Sequence, residues 1–151
     1  MADQPSSELA ESILRRLLVG SIVNGVRFGV LELLFDTQAV SGEPSLLLAS
    51  AWTVYPERPD AFPENESDID EGTSDDELAL AVSLRHKEVL SVEVFSPWPH
   101  LVLTFTDKSV LFLNGKSDRY EPWIAGVYGD QKERTEVIAC PGGDFAFILP
   151  T

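Results

Sequence analysis

Val23-Asn24-Gly25-Val26-Arg27-Phe28 and Val89-Leu90-Ser91-Val92-Glu93-Val94 place their apolar residues at the same steps. Leu31-Glu32-Leu33-Leu34-Phe35 and Leu101-Val102-Leu103-Thr104-Phe105 match in the same way, once an insert around Ser96-Pro97-Trp98-Pro99 is allowed for. Each copy then continues into another apolar run, Leu46-Leu47-Leu48 in one and Val110-Leu111-Phe112-Leu113 in the other. Apolar residues that tend to alternate with polar ones belong to strands with one wet face. The matched patterns therefore predict one supersecondary unit used twice around a shared core. The fold class that follows is α+β, with two pseudo-repeated units, each a helix followed by an antiparallel meander. They span 6–56 and 74–149 and are joined by an acidic linker over 57–73, all within a single domain. One continuous sheet and two packed sheets both satisfy the pattern.

Working outward, Leu9, Ile13, Leu14, Leu17 and Leu18 fall on one helical face. Ser6 or Ser7 can cap this first helix, Arg15 and Arg16 suit its last turn, and Gly20 can stop it. Strands are predicted over 22–28, 30–35 and 46–55 in the first unit. In the second they are predicted over 89–95, 101–106, 110–113, 123–128, 135–140 and 145–149, which makes about nine. The hairpin between 123–128 and 135–140 should turn at Gly129-Asp130. Ser74-Asp75-Asp76-Glu77 has the spacing of a helix capping box, although Leu78, Leu80, Val82 and Leu84 alternate as a strand would. The near-repeat breaks the tie, because Leu84 falls where Leu18 ends the first helix, and a short helix is expected over 75–85.

Between the units, 57–77 holds ten acidic residues and one basic residue, Arg58, so like charges should repel and keep this stretch a mobile linker. The whole chain of 151 residues has 25 acidic against 11 basic side chains, a net charge of −14. Such a surplus repels phosphate backbones and attracts basic proteins, so a basic protein partner is expected and nucleic acid is not. The only cysteine, Cys140, leaves no intramolecular disulfide and points to a reducing compartment. The 9–19 stretch contains Glu11, Arg15 and Arg16, too polar for a signal-peptide core and too short to span a bilayer. A soluble cytoplasmic protein with no membrane partner is the expectation; the oligomeric state is left open.

Tyr120-Glu121-Pro122-Trp123, followed by Cys140-Pro141-Gly142-Gly143 and an apolar ending, resembles an uncharacterised family of small, acidic bacterial proteins. Its members carry a Tyr-Glu-x-Trp motif after a strand–Asp-Gly–strand hairpin, then a Pro-Gly-Gly turn before the last strand. The likeness covers mainly 89–149, with a looser echo over 18–55, and Lys108 follows Asp107 where the pattern favours glycine. The resemblance implies an immunity or accessory protein of bacterial conflict systems, and it offers no active site to carry over.

The candidate chemistries are few. Glu66, Asp68, Asp70 and Glu77 have an EF-hand-like spacing, but Glu71 stands where the loop needs glycine and Gly72 comes one residue late. A solvated acidic segment is the better reading, and no metal is expected. Cys140 with His86 or His100 belongs to no recognisable nucleophile–base motif, and two histidines with one cysteine make a poor zinc set. Gly142-Gly143 lacks the Lys-Ser/Thr of a phosphate loop and reads as a turn. Asp36 and Asp107, at equivalent strand ends, read as turn initiators rather than paired catalytic carboxylates. No enzyme and no cofactor are expected. Among Trp52, Trp98, Tyr120, Trp123 and Tyr128, Trp52 and Trp123 read as caps over the core of their respective units. Trp98, held between two prolines, is expected to be exposed. Candidate partner-binding residues are therefore Trp98, Tyr120 and Glu121, with Asp68, Asp70 and Glu71 of the linker. The alternative to a binding module is a small enzyme or divalent-metal protein that uses the linker or strand-end carboxylates.

Overall fold

Asp3 accepts a 2.8 Å hydrogen bond from the Ser6 amide, and Pro5 follows at the start of the helix that this cap opens, α1 (Gln4–Leu18). That is the first feature of the computed structural model, which describes residues 3–70, 72–127 and 134–150. The cap expected at Ser6 or Ser7 lies earlier because Asp3 supplies the acceptor and proline presets the first helical φ. Ser7 is buried instead and donates to Phe95 O at 3.2 Å. The first unit continues with β1 (Ile22–Arg27), β2 (Glu32–Asp36), β3 (Pro44–Leu48) and β4 (Trp52–Tyr55). The second comprises α2 (Ser74–Ser83), β5 (Val89–Val94), β6 (Leu101–Phe105), β7 (Val110–Leu113), β8 (Trp123–Val127), β9 (Thr135–Ala139) and β10 (Phe145–Ile148). Among the described residues the class is α+β, with two helices and ten strands in two antiparallel sheets. The turn expected at Gly129-Asp130, and Tyr128 beside it, lie outside those residues.

The tenth strand comes from a correction. The single strand expected over 46–55 is two, because the chain leaves one sheet after Leu48 and enters the other at Trp52. The amides of Ala49 and Ser50 both donate to Pro122 O, at 3.2 and 3.0 Å, and fix the step between sheets. The sheet orders are β1-β2-β3-β8-β9-β10 and β5-β6-β7-β4, so each unit sends its fourth strand to the meander of the other. Trp52 therefore pairs with Leu113 and Trp123 with Leu48. Both tryptophans are buried, but each caps the partner unit's sheet rather than its own.

The near-repeat extends to the backbone. Gly20 and His86 close the two helix ends with φ of 83° and 73°. The Gly20 amide donates to Val89 O at 2.9 Å and the His86 amide to Val23 O at 2.8 Å. Val23 N donates to Lys87 O and Val89 N to Ser21 O, both at 2.9 Å. Both first strands carry a bulge at the same step, between Val23 and Gly25 and between Val89 and Ser91. A local pseudo-dyad thus joins the two units where their helices end.

One hydrophobic core draws on α1, α2 and both sheets, with Leu14, Leu33, Phe35, Leu84, Leu103, Phe105 and Trp123 among its fully buried members. α1 also closes the open edge of β5, where Glu11 accepts from Val94 N at 3.0 Å and Arg15 Nε donates to Val92 O at 3.3 Å. An edge so capped is blunted against pairing with another chain. The outer face of the smaller sheet carries Tyr55, Val102, Val110 and Phe112, and Ile69 and Phe62 cover it. The acidic segment expected to be a mobile linker is therefore a strap docked on that sheet. Phe62 stacks on Phe112 at 4.9 Å between ring centroids, and Glu66–Asp68 forms a 3-10 turn that sets Ile69 inward. Burial of two large apolar side chains outweighs the mutual repulsion of exposed, water-screened carboxylates. Among the described residues no helix is long and apolar enough to cross a membrane.

Candidate functional site

The insert that distinguishes the second repeat from the first becomes one wall of a cleft of about 430 Å³. Phe95 N donates to His100 O at 3.0 Å and His100 N to Trp98 O at 2.8 Å, drawing Ser96 to Pro99 into a tight turn with a cis Ser96–Pro97 bond. The turn is clamped from beneath. The Trp123 indole N–H donates to Pro99 O at 2.7 Å, and Gly115 N donates to His100 Nδ1 at 2.9 Å. At Gly115 the backbones approach so closely that a Cβ would lie 2.1 Å from Pro99 O. The strap supplies the opposite wall with Phe62, Pro63 and Glu64, and Lys116 completes the lining.

Polar contacts tie the strap to the second unit. Lys116 Nζ lies 5.6 Å from the Trp98 ring centroid and donates to Asn65 Oδ1 at 2.9 Å. The Tyr120 hydroxyl sits 2.6 Å from both carboxylate oxygens of Glu66, sharing one proton with the pair. Arg58 lies over Phe62, 5.2 Å from its centroid, and pairs with Glu93 at 2.5 Å.

Of the residues singled out from sequence, Trp98 and Tyr120 are thus brought to the same strap, although Trp98 is half-buried rather than exposed because Glu64 and Lys116 share its cleft. Asp68 is exposed and accepts from Asn65 Nδ2 at 3.4 Å, close to the Lys116 anchor. Asp70 is exposed and accepts from Gly72 N at 3.0 Å, turning the chain toward α2. Glu121 is exposed and does not line the cleft, and Glu71 lies outside the described residues. Sequence reasoning missed Phe62, Glu64 and Lys116, and weighed His100 only as a base beside Cys140 or a zinc ligand. A signal existed for Phe62, since a lone phenylalanine in a run of carboxylates needs somewhere to be buried; Lys116 offered none.

The other candidate chemistries separate. Glu77 accepts from the Trp52 indole at 2.7 Å while Glu66 holds Tyr120, so the EF-hand-like set does not converge. Among the described residues no three His, Cys, Asp or Glu side chains are grouped to hold a metal ion. Burial pushes the Cys140 thiol up, and the charges of Glu121 and Asp144 push it further, opposite to what an activated nucleophile needs. Pro141–Gly143 forms a 3-10 turn, with Gly142 N donating to Ser117 O at 2.7 Å. Asp107 Oδ1 accepts from Ser109 N at 2.9 Å and its other oxygen pairs with Lys87, so this strand-end carboxylate builds a turn. Those bonds hold its pKa down at about 2.

His100 carries the testable electrostatics of the cleft. Burial, assisted by the charge of Lys116, lowers its pKa from 6.5 to about 4, so the imidazole is neutral near pH 7. Nδ1 accepts from Gly115, which puts the ring proton on Nε2. The unfolded chain then takes up a proton near pH 6.5 that the folded chain refuses until about pH 4. Stability from this group is complete above pH 6.5, drains away as pH falls, and levels off below about 4. The expected loss is on the order of 2 kcal/mol. Urea midpoints measured from pH 7.5 to 4 should show it, and His100→Asn should flatten that interval. Asp107 contributes in a separate window, below its ordinary value of 3.8. An unchanged slope in His100→Asn would assign the interval to other groups.

No family model, no curated protein and no solved structure matches the chain.

Proposed function

We propose that this protein is a non-enzymatic binding module that recognises a basic protein, in its concrete form an immunity-type inhibitor that neutralises a cationic toxin by occlusion. The observation that carries the reading is the docked strap. It holds Glu64 on the wall of the Trp98 cleft and Glu66 on the hydroxyl of the exposed Tyr120, with Asp68 bonded to Asn65 between them, so carboxylates and aromatics occupy one surface. Carboxylates steer a basic partner during encounter, and tryptophan and tyrosine hold it afterwards by combining apolar area with a polar tip. The net charge of −14 adds a long-range field of the same sign.

The test is association kinetics by stopped flow, with a basic protein captured at low salt and released by high salt. The association rate should fall by about tenfold or more between roughly 0.02 M and 0.3 M salt, while dissociation changes much less. A rate that stays flat across that range removes the acidic surface as the recognition element.

A further inference from the structure

We infer that the Trp98 cleft is the receiving site for an arginine side chain of the basic partner, and that Lys116 is an internal stand-in which the incoming guanidinium displaces. This rests on the reading of the protein as a module for basic partners, and it names the side chain that the cleft selects.

Four observations converge. A cation already sits on the ring, since Lys116 Nζ stands 5.6 Å from the Trp98 centroid, within the range at which an indole face attracts positive charge. That ammonium is held by a neutral acceptor, Asn65 Oδ1 at 2.9 Å, a bond that a competing donor can replace. The cleft is about 430 Å³, the size of a small-ligand site, with the carboxylate of Glu64 on its wall. Its remaining titratable group does not oppose a cation, because His100 is a neutral imidazole near pH 7.

Arginine fits better than lysine for physical reasons. A guanidinium is planar and weakly hydrated, stacks flat on an indole, and offers forked donors to a carboxylate and an amide oxygen together. A strongly hydrated ammonium loses more on entering a cleft walled by Phe95 and Pro97. The exchange returns Lys116 to water and puts the better-matched cation between Trp98, Glu64 and Asn65. The other tryptophans are spectators, because Trp52 and Trp123 are buried with their indole N–H groups bonded to Glu77 and Pro99.

The experiment titrates the whole protein with hexa-arginine and hexa-lysine peptides of equal charge at low salt, reading tryptophan fluorescence and calorimetric affinity. Hexa-arginine should bind at least about fivefold tighter and should perturb the indole signal. Trp98→Leu should bring the two peptides to within about twofold of each other. Lys116→Gln should tighten hexa-arginine more than Arg85→Gln, which changes the net charge equally at an exposed position. Equal affinities for the two peptides in the unmodified protein, or an arginine preference that survives Trp98→Leu, overturn the assignment while leaving recognition of basic partners standing. Failure of both peptides to bind overturns the recognition of basic partners itself, and the cleft assignment with it.

Discussion

Trp123→Ala is expected to cost about 3–5 kcal/mol and to lower the melting temperature by roughly 10 °C or more. Trp123 is 0% exposed on β8, paired with Leu48 in one direction and Ala139 in the other, with the Phe145 ring edge-on at 6.0 Å. Truncation removes the largest fully buried side chain of the core, and the strands on either side cannot close over the space. A second loss is chemical, because Pro99 O loses the indole donor at 2.7 Å in a place where water does not replace it. Trp123→Phe separates the two losses by restoring most of the volume and none of the hydrogen bond. Its expected cost is about 1–3 kcal/mol, and it should also loosen the turn that carries Trp98. Denaturant unfolding of both variants decides the matter. A melting curve for Trp123→Ala within about 1 kcal/mol of the unmodified protein would mean that this indole does not anchor the core.

The matched apolar patterns made the meanders legible because strand periodicity records which face each residue buries. Equivalent pairs such as Val23 and Val89, or Phe35 and Phe105, do bury equivalently. The exchange of fourth strands left no such record. Leu46 to Tyr55 reads as one run because no glycine or proline marks the break at Ala49-Ser50, and the acceptor that bends the chain there, Pro122 O, is remote in sequence. The capping box of α2 had the right spacing one residue too late. Thr73 and Asp76 close it, with Thr73 N donating to the Asp76 carboxylate at 2.9 Å, and this frees Glu77 for the Trp52 indole. The left-handed residue ending that helix is His86, where the first unit uses Gly20, so no glycine marked the stop. Of the cleft, only Trp98 and its flanking prolines stood out, because the opposite wall depends on where Phe62 inserts. Charge density argues for repulsion along the strap, and it carries no information about Phe112, the ring on which Phe62 stacks.

Gly115→Ala is expected to cost about 3 kcal/mol or more. The added Cβ would lie 2.1 Å from Pro99 O, 2.2 Å from Pro99 C and 2.6 Å from His100 N, all backbone atoms that cannot rotate aside. Relief requires the turn to lift, which breaks the Trp123–Pro99 bond and the bond from Gly115 N to His100 Nδ1 together. The internal control is Gly29→Ala. Gly29 has φ of 96° but no atom within 4 Å of a new Cβ, so its substitution meets only backbone strain of about 1 kcal/mol. Because Gly115 and Trp123 act on the same peptide, their effects should not add. Gly115→Ala with Trp123→Phe should cost less than the two single changes together, by roughly 0.5–3 kcal/mol. If Gly115→Ala costs no more than Gly29→Ala, the Pro99–His100 peptide has room to move. The Trp98 wall would then be compliant rather than preformed, and the arginine preference proposed for the cleft would lose its preorganised indole face.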